Sequence, residues 1–482
     1  MKCKTVLVML MLIAAGSLLS AQGLKVEPGS CIKVETGTTL DISGGGDLFL
    51  ESDATGDASL IDLGSVSYTG GGEAKVERYL TNGQWHLISA PVAGAVAGQF
   101  ENDYLQVHNE STNGWTDVTS LTYGLVAAKG YALWTVDGAP TTELFAGTTY
   151  TGNQSYNFTQ SGQGYNLVGN PYPSVLDWDA VNIPAQLSGA IWLFDPTVGA
   201  NGDYKYYING GGGANTTTQY IPSGQGFFVR ATGGAGTLTL QNDDRTHGGQ
   251  AFYKSGENNQ MLVLKASGNN ITTQTAIRFI ANATPQADRL YDVHKIISNS
   301  TDVPNVYTLC EEEKMAINTL PTITGHEIVS VYFEAGVDGT YTFTATELES
   351  LGEDVPVFLE DISLNYVQDL RANPDYSFAY TNGAVREFNI HFKDVTGTDE
   401  LQANATQFHC YMGNGRLNVN YLGSGPFAGT ASISVFNPAG QLVLQTQSTQ
   451  PETTLALRGS AAIYIVQILY KGQAFSNKVI NR

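Results

Sequence analysis

The chain has 482 residues and a formal net charge of −21, with 45 Asp+Glu against 24 Lys+Arg. That balance excludes nonspecific attraction to nucleic acid or anionic membrane, and the length exceeds one ordinary domain. Composition points to an all-β fold. The 54 Gly and abundant Asn supply turns, the 25 Tyr with many Thr and Val favour strands, and no segment beyond the N-terminus keeps a helical apolar period.

Residues 1–22 read as a signal peptide. Lys2 and Lys4 precede an apolar run from Val6 to Ala15, and small residues follow around Ser20, Ala21 and Gly23. The run is shorter than the about 20 residues of a permanent bilayer span, and no other segment qualifies, so no transmembrane segment is expected in the mature chain. Removal of the signal leaves Cys31, Cys310 and Cys410. An odd count without close spacing matches neither a disulfide framework nor a zinc site, and buried thiols are expected.

Residues 23–80 alternate apolar and polar positions at Ile32, Val34, Leu40, Ile42, Leu48 and Leu50, with frequent Gly and Asp breaks. They are expected to form short β rungs, a small β-helix-like or meander segment of no assignable period. Residues 81–255 hold all five tryptophans, Trp85, Trp115, Trp134, Trp178 and Trp192, and are expected to be a β domain with its own core. Residues 256–396 read as a β-sandwich. Asn269-Asn270, Asp338-Gly339 and Asn382-Gly383 mark turns, while Phe388, Ile390 and Phe392 face the core and Asn389 and His391 face water. Polar residues 397–405 read as a linker. Residues 406–482 alternate at Leu417, Val419 and Tyr421, and again at Ile433-Val435 and Ile463-Ile465, as a small Greek-key, immunoglobulin-like sandwich does.

The last segment carries two signatures, ISVFNPAGQLVLQ and LRGSAAIYIVQILYKGQAFSNKVINR. Together they resemble the C-terminal sorting domain (type A-like) of cargo proteins of the type IX secretion system. By that resemblance Asn437 to Gly440 supplies a turn, Tyr464 the aromatic of the family's Gly-x-Tyr strand, and Lys478 the basic residue of the terminal strand. Ala462 stands where the family has Gly. The resemblance implies export through the periplasm to the outer face of the outer membrane or the medium. It also implies three partners: the type IX translocon, a sorting-domain peptidase and anionic lipopolysaccharide as an anchor. Upstream, GNPYPS with DWD, AIWLFDP and YIPSGQGFFVRA resemble a recurrent module of large surface proteins from bacteria that use this route. No function travels with that resemblance.

Candidate chemistry is sparse. Asp177 and Asp179 flank Trp178, and on a strand they share a face, so they could grip one Ca²⁺ with carbonyls from Asn170 to Ser174. Solvated turn-capping carboxylates are the competing reading. Asp243-Asp244 beside Arg245 reads as a surface turn, and Glu311 to Glu313 as a solvated edge. Gly210 to Gly213 lacks the Lys-Ser/Thr of a phosphate loop. No HExxH or GxSxG occurs, and Cys310 with His294 or His326 lacks a family signature. Trp115, in NESTNGWTD, sits among turn residues and could stack a sugar ring, whereas Trp85, Trp134 and Trp192 have apolar flanks suited to a core.

These features lead to the expectation of a secreted or surface-attached structural or adhesive protein without catalytic activity. The alternatives are a glycan-binding surface module and a cryptic secreted hydrolase. No cofactor is expected beyond the possible Ca²⁺. The remaining partner is an extracellular glycan or protein.

Overall fold

The computed structural model describes residues 4–5, 18–21, 23–136, 141–209, 217–248, 260–364, 366–393, 408–413, 416–421, 427–438, 440–457, 463–471 and 473–480. The Gly210–Gly213 run, the linker at 397–405 and Ala462 lie outside these residues. So does most of the expected signal peptide. Of that peptide only the backbone of Lys4–Thr5 and Leu18–Ala21 is described, paired in parallel with Ser30–Val34 and Thr39–Ile42. The described residues form strands and three short 3-10 turns, so the fold is all-β. No helix among them is long and apolar enough to cross a membrane.

The rung segment is a parallel β-coil with three faces. Leu24–Val26, Leu48–Leu50 and Ala74–Leu80 stack on one face, Ser30–Val34 and Ser59–Asp62 on a second, Thr39–Ile42 and Ser65–Tyr68 on the third. Partners Leu24 and Leu48, Leu48 and Ala74, Thr39 and Ser65, and Cys31 and Ser59 lie 24, 26, 26 and 28 residues apart. The step is uneven because a small hairpin, Ser52–Asp53 with Gly56–Asp57, is inserted in one turn of the coil. Val34, Leu40, Ile42, Leu48, Leu50 and Leu60 point inward and are buried. At one corner the turns stack so closely that a Cβ on Gly72 would lie 1.8 Å from the Gly46 carbonyl oxygen, which requires glycine there.

The coil is continuous with the sheets after it. Ala74–Leu80 pairs antiparallel with Thr141–Thr149, and the coil's buried cluster continues through Ile88, Phe100, Leu133 and Phe145. The expected division at 80/81 therefore falls inside one core. Beyond it lie two four-stranded antiparallel sheets. The first runs Trp85–Ile88, Tyr131–Trp134, Tyr104–Asn109, Gly114–Asp117, and the second Tyr165–Gly169, Gly226–Ala231, Leu187–Asp195, Asp203–Ile208. Side chains alternate between the two faces of the second sheet. One face packs on Trp178, Phe158 and Leu238, and the other joins Leu87, Ala132 and Trp192 to Met261, Val263, Ala316 and Ile317. The core expected to belong to 81–255 alone is thus shared across the 255/256 boundary. Trp192 Nε1 also donates to the His294 carbonyl at 3.0 Å.

The sandwich expected for 256–396 is one continuous sheet folded over its own core. Its order is Tyr366–Asp369, Phe358–Asp361, Arg386–His391, Ile328–Glu334, Asn305–Cys310, Glu313–Leu320, Ile271–Phe279, Gln260–Gly268, Gly339–Thr346, Asp375–Tyr380. Phe388, Ile390 and Phe392 are fully buried as expected. The opposite face is drier than expected: His391 is buried and its Nε2 lies 2.9 Å from Glu360, which also accepts from Asn389 at 3.0 Å. The tail forms two further sheets, Phe408–Gly413, Arg416–Tyr421, Glu452–Leu455 and Leu442–Ser448, Ala431–Phe436, Ile463–Tyr470, Gln473–Ile480. Among the described residues, their buried cluster draws only on the tail.

Candidate functional site

The most distinctive surface is built around Trp115. The hairpin Tyr104–Asn109 to Gly114–Asp117 turns where Asn109 Oδ1 accepts from the Ser111 N–H at 3.1 Å and Asn113 takes a left-handed φ of 49°. Register then places Trp115 opposite His108, Asp117 opposite Gln106, Tyr104 opposite Trp134, and Trp134 opposite Trp85. Alternation puts all of these on one face. Tyr104 and His108 are four residues apart, so the row extends about 13 Å along the strand. Trp115 is 40% exposed and Tyr104 62% exposed.

The row is held from beneath. Phe228, buried in the second sheet, meets His108 at 4.9 Å and Trp115 at 6.2 Å between ring centroids, and reaches Tyr165 and Tyr204 at 6.4 and 5.9 Å. Arg230 lies 5.5 Å over Tyr165 and 3.6 Å from Glu313, which also contacts His294 at 3.2 Å. Glu110 locks the hairpin's base. Its carboxylate accepts from the N–H groups of Ser161, Gly162 and Gly164 at 2.8, 2.8 and 2.9 Å, and from the Thr159 hydroxyl at 2.9 Å. Burial would raise the pKa of Glu110, but these donors outweigh it and hold it below the usual range. Burial holds the His108 pKa below its ordinary value, and pushes the Tyr165 phenol up to about 12. The result is a fixed aromatic platform edged by Gln106, Asp117 and Arg230.

Only Trp115 of this constellation stands out in the sequence. Trp85 and Trp134 are half-buried rather than core, while Trp178 and Trp192 are fully buried. The Tyr104, Gln106, His108 alternation is a legible signal, but its partners come from strands that only the fold brings together.

The Asp177/Asp179 expectation changes. Asp177 ends the strand Val175–Asp177, and Asp179 lies in the turn after it, so the two do not sit on one strand face. Asp177 Oδ1 accepts the Asp179 N–H at 3.1 Å, and Asp179 Oδ2 accepts the Tyr207 hydroxyl at 2.9 Å. Asn170 is turned elsewhere: its amide donates to the carbonyls of Ser174, Ile221 and Pro222, and its Oδ1 accepts from Tyr172 N–H. Among the described residues no group of three or more His, Cys, Asp or Glu is arranged to hold a metal.

Arg245 is not on a surface turn. Its guanidinium is buried against Asp62 at 2.6 Å, and Asp244 is buried as well. Cys31 is disulfide-bonded instead of the expected thiol. Cys310 and Cys410 are buried free thiols whose pKa values burial pushes up to about 11 and 12, so neither is a thiolate at neutral pH. In the tail, the Asn437–Gly440 turn forms: Gly440 N–H donates to the Asn437 carbonyl at 3.0 Å and Gly440 adopts φ 73°. Tyr464 is buried, and Lys478 lies on the last strand, paired in register with Ile465.

A family model covers residues 10–392, from before the coil to the end of the strand Arg386–His391. The chain belongs to this family, described as Domain of unknown function (DUF8693). The match embraces the coil, both four-stranded sheets and the long folded sheet as one unit, and leaves the tail outside. No curated protein matches the chain.

Proposed function

We propose that this chain is an exported surface protein with a structural or adhesive body and no catalytic role, delivered by the type IX route. The observation that carries the reading is the tail. It has its own buried core, lies beyond the family match, and presents the Asn437–Gly440 turn and a terminal strand pairing Ile463 through Tyr470. A sorting signal must be recognised independently of its cargo, and a self-contained sandwich meets that requirement. Deleting Ser476 to Arg482 removes part of that terminal strand, so the protein should accumulate in the periplasm of a type IX-competent host. Protease shaving of intact cells should digest the wild-type protein and spare the truncated one. Equal digestion of both would sink the export reading.

A second reading, glycan binding, is favoured by the Trp115 platform. Its exposed ring is braced by His108 and Phe228 and edged by hydrogen-bonding groups, which suits the CH-rich face and hydroxyl rim of a sugar. On a glycan array the full-length protein should lose its signal on Trp115→Ala. A signal unchanged by that substitution would remove the platform from consideration.

A further inference from the structure

A pocket of about 200 Å³ lies where the β-coil meets the NPYP segment. Asp57 and Ser59 come from the coil, Val175 from the short strand after NPYP, Pro222 from the adjoining turn, and His247 from the segment that closes the domain. Residues nearly two hundred positions apart thus converge on one small cavity. Val175 and Pro222 give it an apolar side, and most of the other side chains that line it are polar, four of them serines.

The charged groups around it are paired with one another. Asp57 is bound by Arg78 at 3.0 Å and by the Ser52 hydroxyl at 2.5 Å. Arg245, behind Ser174, faces Asp62, and Lys33 is paired with Glu35 at 3.0 Å. His247 Nδ1 lies 2.9 Å from Ser59 Oγ. Burial, then Arg245 and Lys33, push its pKa down to about 4, so the imidazole is neutral at physiological pH. A neutral imidazole with Nδ1 engaged leaves Nε2 as a single donor or acceptor.

The geometry points to a binding site for one neutral sugar ring, its CH face against Val175 and Pro222 and its hydroxyls meeting Asp57, Ser59 and His247. The site is separate from the Trp115 platform and does not depend on either reading above. It would let the body hold a terminal monosaccharide at the seam between coil and sheets.

The test uses the full-length protein and four free monosaccharides: glucose, galactose, mannose and N-acetylglucosamine. Acetate and inorganic phosphate serve as anionic probes. At saturating concentration at least one sugar should raise the melting temperature by roughly 2–4 °C, and neither anion should. Val175→Phe, which fills the cavity from a half-buried position, should abolish the shift. His247→Gln should weaken binding about ten-fold, and it decides the matter if Val175→Phe lowers the melting point of the free protein. Trp115→Ala should leave the response intact. Absence of any sugar response, an anion response in its place, or a sugar response that survives both pocket variants would overturn the site. Loss of the response in Trp115→Ala alone would overturn it too, by moving binding to the aromatic platform.

Discussion

At the scale of single residues, Arg245 shows how much a local reading can miss. Beside two aspartates it reads as a surface turn, yet it ties three parts of the molecule together. It donates to Ser174 Oγ at 3.0 Å, Asn242 Oδ1 at 2.7 Å and the Leu60 carbonyl at 2.7 Å, and lies 4.7 Å over Tyr172. Asp62 Oδ1 is 2.6 Å from the guanidinium but accepts no well-aligned hydrogen bond, so that contact is chiefly one of charge. Arg245→Met strands the buried Asp62 carboxylate and should cost about 3–5 kcal/mol, read as a lower urea midpoint. Lysine should not rescue it, because it lacks the fork that reaches three acceptors. An unchanged midpoint would refute this role. The neighbouring His247 sets a pH dependence. Its pKa is about 4 when folded against an ordinary 6.5, so between those values the unfolded chain binds more protons. The stability it contributes is present above pH 6.5 and is lost as pH falls toward 4. Melting temperature should therefore decline across that window, and less steeply in His247→Gln. An identical slope in both proteins would rule the residue out as the cause.

At the scale of elements, period-two alternation is the part of the fold most open to reading. It marks Phe388, Ile390 and Phe392, and Leu417 and Val419, because a half-buried strand must alternate. The coil is legible as rungs but not as a repeat, since the inserted Ser52–Asp57 hairpin shifts one step. DWD fails as a strand because the Asn170 amide pins the NPYP turn against three carbonyls that share its two N–H donors, and the chain turns again at Trp178. The aromatic platform is legible only at Trp115, as its supports are contributed by strands distant in sequence. Glu110 is the least conspicuous of them and gives a sharp test. Glu110→Gln keeps the shape but replaces a charged acceptor facing three N–H groups. It should cost about 1–3 kcal/mol and loosen the Trp115 hairpin from the 159–164 loop. Amide exchange should quicken at Ser161, Gly162 and Gly164. Exchange that stays slow at all three would show that the loop is held by something else.

At the scale of the whole molecule, composition suggests several independent domains, whereas packing supports one body and one tail. The buried cluster that includes Leu87, Trp192, Phe228, Val263 and Ile317 spans the coil-linked sheets and the long folded sheet. Opening either side would expose the other's apolar face, so the two should unfold together, as elements sharing a core do. Among the described residues, the tail shares no buried cluster with them. Calorimetry of the intact protein should therefore show two transitions, a large one for the body and a small one for the tail. Limited proteolysis should cut in the polar stretch 397–405 before it cuts near residue 255. A tail-less chain ending near 396 should keep the large transition at the same temperature, since among the described residues the body's buried clusters draw on no tail side chain. Three transitions, or early cleavage near 255 that releases separately folded halves, would mean that the shared cluster is too weak to couple them and that the division suggested by composition is the physical one.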